Sequence, residues 1–220
     1  MTVIIAMNLY LLVCACVGLL YGLTAAYKQK QPLYFKLMVF PIACQFFSRA
    51  FTLVTLLCYQ ELPEGFNIGL LGYAGFYLFL YLPNVGVIDH LLDEQKKGIT
   101  KQKLLAAILP AAEAAVAIST LFVHRVSLAV RISFLVLALL AGLAGYFNLK
   151  HALTPDVEGG IVRTLRKFNF VCILFELLTL AEVGLSFFGS YSPIALAVVL
   201  GIFYVGFLPF LNKETKKWIQ

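Results

Sequence analysis

The chain has 220 residues, of which 61% are hydrophobic and only 13% charged, with a mean hydropathy of +0.91. Soluble domains carry about 25% charged residues, and no soluble core of this size could bury so much apolar surface. A net charge of +6 does not indicate nucleic acid, because the basic residues cluster at the ends of apolar runs instead of forming a stripe. These observations predict an all-α integral membrane protein whose first partner is the lipid bilayer.

Seven apolar segments follow one another, at about 3–26, 33–58, 66–88, 104–122, 127–149, 165–188 and 193–211. Each is close to the roughly 20 residues that a helix needs to cross a bilayer. They predict a seven-transmembrane-helix bundle, one membrane domain over residues 1–220. The first segment has no basic residue before it and a long apolar core, so it reads as a retained helix, not a cleaved leader.

Segment two carries the most informative stretch, Gln45-Phe-Phe-Ser-Arg-Ala-Phe-Thr-Leu-Val-Thr55. At 100° per residue Gln45, Ser48, Arg49, Thr52 and Thr55 fall within roughly 120° on a helix, a polar stripe on an otherwise apolar segment. Arg49 is the one basic residue that no loop or helix end accounts for. An arginine at mid-bilayer costs at least ~2.5–3.5 kcal/mol on insertion scales, so it should face an acid, protein or water.

Segment three places Tyr73, Tyr77 and Tyr81 at i, i+4 and i+8, followed by Asn84. Such a ladder can line a solute path or stack on a flat ligand; it can equally fill the core with its hydroxyls bonded to neighbours. Its end reads Asp89-His90-Leu-Leu-Asp93-Glu94. Asp89, His90 and Asp93 are weak candidate metal ligands, more simply explained as acids compensated by Lys150, Arg163 and Arg166 on the same side. No cofactor is expected.

Segment four contributes Glu113. Segment five carries Ala138, Ala141, Gly142, Ala144 and Gly145, two small-xxx-small spacings suited to close packing within the bundle or to a homo-oligomer. On segment six Asn169, Cys172, Glu176 and Thr179 share about 80° of arc, mirroring segment two, while Glu182 points away from that stripe. An Arg49–Glu176 pair is therefore expected, leaving Glu113 or Glu182 to hold a proton or bind something. The five cysteines all sit in apolar runs and read as small buried hydrophobes.

The loops sort by charge. Lys28, Lys30, Lys36, Lys96, Lys97, Lys101, Lys103, Lys150, Arg163, Arg166, Lys167, Lys213, Lys216 and Lys217 fall on one side, and Arg125 and Arg131 on the other. This asymmetry predicts the N-terminus outside and the C-terminus cytoplasmic, in a plasma (inner) membrane. Gly75-Phe-Tyr-Leu-Phe-Leu-Tyr-Leu-Pro83 also echoes Gly201-Ile-Phe-Tyr-Val-Gly-Phe-Leu-Pro209, which suggests a three-plus-one-plus-three plan of parallel repeats with segment four as connector.

No HExxH, GxSxG or phosphate-loop motif occurs, and segment seven has no lysine for a retinal Schiff base. The function that fits best is a small-solute or proton-linked transporter or channel with a polar mid-membrane site. Its candidate residues are Gln45, Arg49, Tyr77, Tyr81, Asn84, Glu113, Asn169, Glu176 and Glu182. A receptor or sensor subunit that binds a small ligand and signals to a partner is the alternative. A lipid-modifying enzyme using Asp89, His90 and Asp93 is a third.

Overall fold

The computed structural model describes residues 2–27, 31–61, 66–88, 100–123, 125–154, 161–189 and 194–216, with the side chains of 87, 88, 100 and 161–164 left aside. Among the described residues there is no strand. Seven helical spans are long and apolar enough to cross a membrane, and the protein is an integral membrane protein. They are α1 (Thr2–Ala26), α2 (Leu33–Tyr59), α3 (Ile68–Gly86), α4 (Lys101–Thr120), α5 (Leu128–Leu153), α6 (Leu165–Phe188) and α7 (Ile194–Thr215).

Prolines set the interruptions. A proline lacks the N–H that would bond the carbonyl four residues earlier. Pro41 thus removes the partner of Leu37, and α2 breaks at Met38 between Leu33–Leu37 and Val39–Tyr59. Pro110 does the same to Ala106, and α4 breaks at Ala107 between Thr100–Ala106 and Ile108–Thr120. Past Pro83 the end of α3 widens into a π-helical stretch, Asn84–Ile88. The ends are capped where polar residues permit: Asn67 accepts from the Leu70 N–H at 3.2 Å and Ser127 from the Val130 N–H at 3.4 Å. The helix α2 ends on Gln60 in the left-handed region (φ 57°), its N–H donating to the Leu56 carbonyl.

Six helices form a ring in the order α1, α2, α3, α5, α6, α7 and back to α1, with α4 packed outside against α5. The α1–α7 contact is parallel: Tyr10 meets Gly201, Gly18 meets the Tyr204 carbonyl and Gly22 meets Leu208, so both chains advance together. At Gly18 a side chain would run into that carbonyl, so only glycine lets the two backbones approach so closely. Ala138, Ala141, Gly142, Ala144 and Gly145 are buried, and Gly142 and Gly145 take up Pro110 and Leu109 of α4. At Gly142 and Gly145 the small-residue face of α5 is thus met by α4 of the same chain.

The polar stripe of α2 turns inward. Gln45, Ser48 and Arg49 are buried while Phe47, Val54 and Leu57 on the far side are exposed to lipid. Of the side chains buried to below 2% of their surface or nearly so, Arg49 is the largest. An inverted helix of this kind is stable in hydrocarbon only if the ring supplies a partner for its charge and for most of its inward polar groups; Gln45 Nε2 alone of this helix's buried side-chain polar atoms has none among the described residues.

Candidate functional site

The inward polar groups gather at three levels along α6, marked by Glu182, Glu176 and Asn169 and spaced about 9–10 Å apart at 1.5 Å per residue. The first level surrounds Arg49. Its two terminal nitrogens donate to the Glu182 carboxylate at 2.8 and 2.7 Å in a two-pronged ion pair, and Tyr73 donates to Glu182 Oε2 at 3.1 Å. The guanidinium also donates to the Tyr204 hydroxyl at 3.2 Å, and Tyr204 in turn donates a hydrogen bond to Gln45 Oε1 at 3.0 Å. Tyr73 additionally holds the guanidinium carbon 5.4 Å from its ring centre. Four helices, α2, α3, α6 and α7, are tied by this one cluster.

The expected Arg49–Glu176 pair is not formed; Glu182 is the partner. The reason is one of level. Glu182 is fifteen residues beyond Lys167 and Arg49 thirteen beyond Lys36, so both are about 20 Å past their basic flanks, whereas Glu176 is only about 14 Å past its own.

Glu176 instead meets Glu113. The two carboxyl groups are in contact with each other across α5, and they are 0% and 6% exposed. Among the described residues none of their four oxygens receives a hydrogen bond. The Asn148 amide and the Gly145 backbone lie beside Glu176 without closing a hydrogen bond to it. The Tyr77 hydroxyl is fully buried within electrostatic range of Glu176 and more weakly of Glu113, and it too has no hydrogen-bond partner. Room for this arrangement comes from the glycines of α5: a methyl group at Gly145 would lie 2.5 Å from Glu176 Oε1, and one at Gly142 would lie 3.4 Å from Glu113 Oε2.

The third level is an amide cluster at the π-helical turn. Asn84 donates to Asn148 Oδ1 at 2.7 Å and to Asn169 Oδ1 at 3.2 Å, and accepts from the Tyr34 hydroxyl at 3.1 Å. The side-chain nitrogens of Asn148 and Asn169 have no partner among the described residues. Widened turns of this kind recur at functional sites because they re-aim a side chain inward.

The expected residues therefore divide. Gln45, Arg49 and Glu182 share the first level, Tyr77, Glu113 and Glu176 the second, and Asn84 and Asn169 the third. Tyr81 leaves the column and stacks on Phe147 with ring centres 5.3 Å apart. Asp89, His90 and Asp93 lie outside the described residues, and among those described no three His, Cys, Asp or Glu side chains converge. Sequence reasoning missed Tyr204, Asn148 and Tyr34. Asn148 had a readable signal, a lone amide three residues beyond Gly145 in an apolar helix; tyrosines at 34 and 204 did not stand out among eleven.

Set against protein families, curated proteins and solved structures, the chain matches none.

Proposed function

We propose that this protein is a proton-linked transporter of a small solute, with the Glu113–Glu176 pair as its proton site. The observation that carries this reading is the pair itself: two buried carboxyl groups in mutual contact whose four oxygens receive no hydrogen bond among the described residues. Two carboxylates held together in a low dielectric repel by several kcal/mol, and a proton shared between them both removes a charge and supplies the missing hydrogen bond. Its release leaves a site that attracts a cation. Arg49, bound to Glu182, fixes the outer part of the ring and leaves the second level to titrate.

The ring order supports a three-plus-one-plus-three plan. Three consecutive helices form each half, the halves join through the parallel contacts α3–α5 and α7–α1, and α4 stands aside. With the basic loops on the cytoplasmic side, the N-terminus is outside and the protein resides in the plasma (inner) membrane.

The test is infrared and functional. Purified protein in lipid should show a protonated-carboxyl band that disappears as pH rises, and Glu176→Gln should remove it. In proteoliposomes carrying a pH-sensitive dye, an imposed solute gradient should move protons in the wild type and not in Glu176→Gln. A pair that stays in one protonation state from pH 4 to 10 would sink the proposal.

A further inference from the structure

A crevice of about 350 Å³ lies between α4 and α5, lined by Pro110, Ala138, Leu139, Gly142, Leu143 and Tyr146. It opens on the outer, lipid side of the ring, where Leu139 and Leu143 are 52% and 46% exposed. One wall of it is Gly142, and the same glycine neighbours Glu113, whose Oε2 is 3.4 Å from the place a methyl group would occupy. Pro110 is in contact at the same point. The apolar crevice and the buried acid thus share Gly142 as a common neighbour.

We propose that this crevice admits a lipophilic ammonium ion from the bilayer to the Glu113–Glu176 pair, where it displaces the shared proton. The inference rests on the reading of that pair as a proton site and names the class of solute exchanged there. Three features select that class. The entrance is apolar, so a hydrated metal ion would lose its water without compensation, whereas a hydrocarbon body carrying an ammonium group is already dissolved in the membrane. The end of the path is an acid pair with which no lysine or arginine forms an ion pair among the described residues. The volume is at the small end of ligand pockets, enough for an ammonium head with part of its alkyl chain while the rest stays in lipid, and the lining includes an aromatic ring, Tyr146, of the kind that attracts ammonium groups.

Exchange conserves charge: the ammonium ion enters as one proton leaves. The groups that face Glu176 during the exchange are Glu113 from α4, Tyr77 from α3, Asn148 and the Gly145 backbone from α5, and Cys172 on α6 itself. Glu113 is the outer member, and α4 packs chiefly on α5. A small outward movement of α4 would widen the path without disturbing the ring.

The experiment measures binding of decyltrimethylammonium to the full chain in lipid nanodiscs, with decanol as its uncharged counterpart. The ammonium probe should bind about tenfold or more tightly than decanol and release one proton on binding. Glu113→Gln should bring the two probes together. Leu139→Trp, at the lipid-exposed mouth, should weaken the ammonium probe about tenfold while the carboxyl band still titrates as in the wild type. Equal binding of the two probes, or ammonium binding indifferent to Leu139→Trp, overturns the proposal. If the carboxyl band still titrates in that case, the proton site stands and only the solute class and entrance fall. If the band is static, both fall.

Discussion

A single arginine decides how one end of this bundle is built. Arg49 is 2% exposed, and its charge is met by Glu182, with Tyr204 accepting from the guanidinium and Tyr73 donating to Glu182. Breaking such a pair strands a charge, at a cost of about 3–5 kcal/mol, whereas replacing both partners by apolar residues is often neutral. Glu182→Gln should therefore lower the thermal midpoint in detergent strongly, and Arg49→Leu with Glu182→Leu should recover most of the loss. If the double variant is as unstable as the single one, the pair is not what fixes this region. Gly145 makes a narrower case. A methyl group there would collide with both Glu176 Oε1 at 2.5 Å and Leu109 Cδ2 at 2.8 Å, so Gly145→Ala should cost about 1–3 kcal/mol and shift the infrared carboxyl band of the pair. An unchanged band would mean that the glycine does not seat Glu176.

Elements follow the same logic at larger spacing. The breaks at Met38 and Ala107 each fall three residues before a proline, so local chemistry, not packing, places them. In α4 the break sets the direction of Ile108–Thr120 and hence where Glu113 meets Glu176. Pro110→Ala restores a donor for the Ala106 carbonyl, worth about 1 kcal/mol, while giving up the contact of Pro110 with Gly142. Amide exchange across residues 107–111 should slow, and the pH response of the carboxyl band should be lost as α4 straightens. Retention of wild-type exchange rates in this variant would show that the break has another cause.

What could be read from the sequence follows this division between local and long-range causes. The seven spans were visible because hydropathy is a property of consecutive residues, and the proline interruptions because each acts on its own helix. The polar face of α2 was visible from the helical period alone. The partner of Arg49 was not, because the resemblance between two stripes says nothing of which helices adjoin. Depth did carry the answer, since Arg49 and Glu182 lie at nearly the same distance from their basic flanks; the matching stripe on α6 obscured it. Contact between Glu113 and Glu176 depends on α4 lying against the glycines of α5, a packing choice that no single helix records. Asn148 belongs to that choice as well, gaining meaning only beside Asn84 and Glu176.

At the scale of the whole molecule the question is which way the column faces. Fourteen of seventeen lysines and arginines fall on one side of the seven spans, and basic loops are retained on the cytoplasmic side. The consequence for the site is directional. The amide level at Asn84 would then lie toward the cytoplasm and the Arg49–Glu182 level toward the exterior, with the carboxyl pair between them. A proton reaching the pair from outside would then have to pass a closed ion pair tied to four helices. From inside it would meet Asn148 and Asn169, whose side-chain nitrogens have no partner among the described residues. In that orientation the easier hydrated approach would be cytoplasmic, with the proposed lipid crevice as the second route. In a variant lacking its native cysteines, Lys28→Cys and Arg125→Cys separate the two orientations. A membrane-impermeant maleimide applied to intact cells should label Arg125→Cys and reach Lys28→Cys only after the membrane is opened. The reverse pattern would invert the column and make the ion-pair level the cytoplasmic one, even though every contact within the ring would be unchanged.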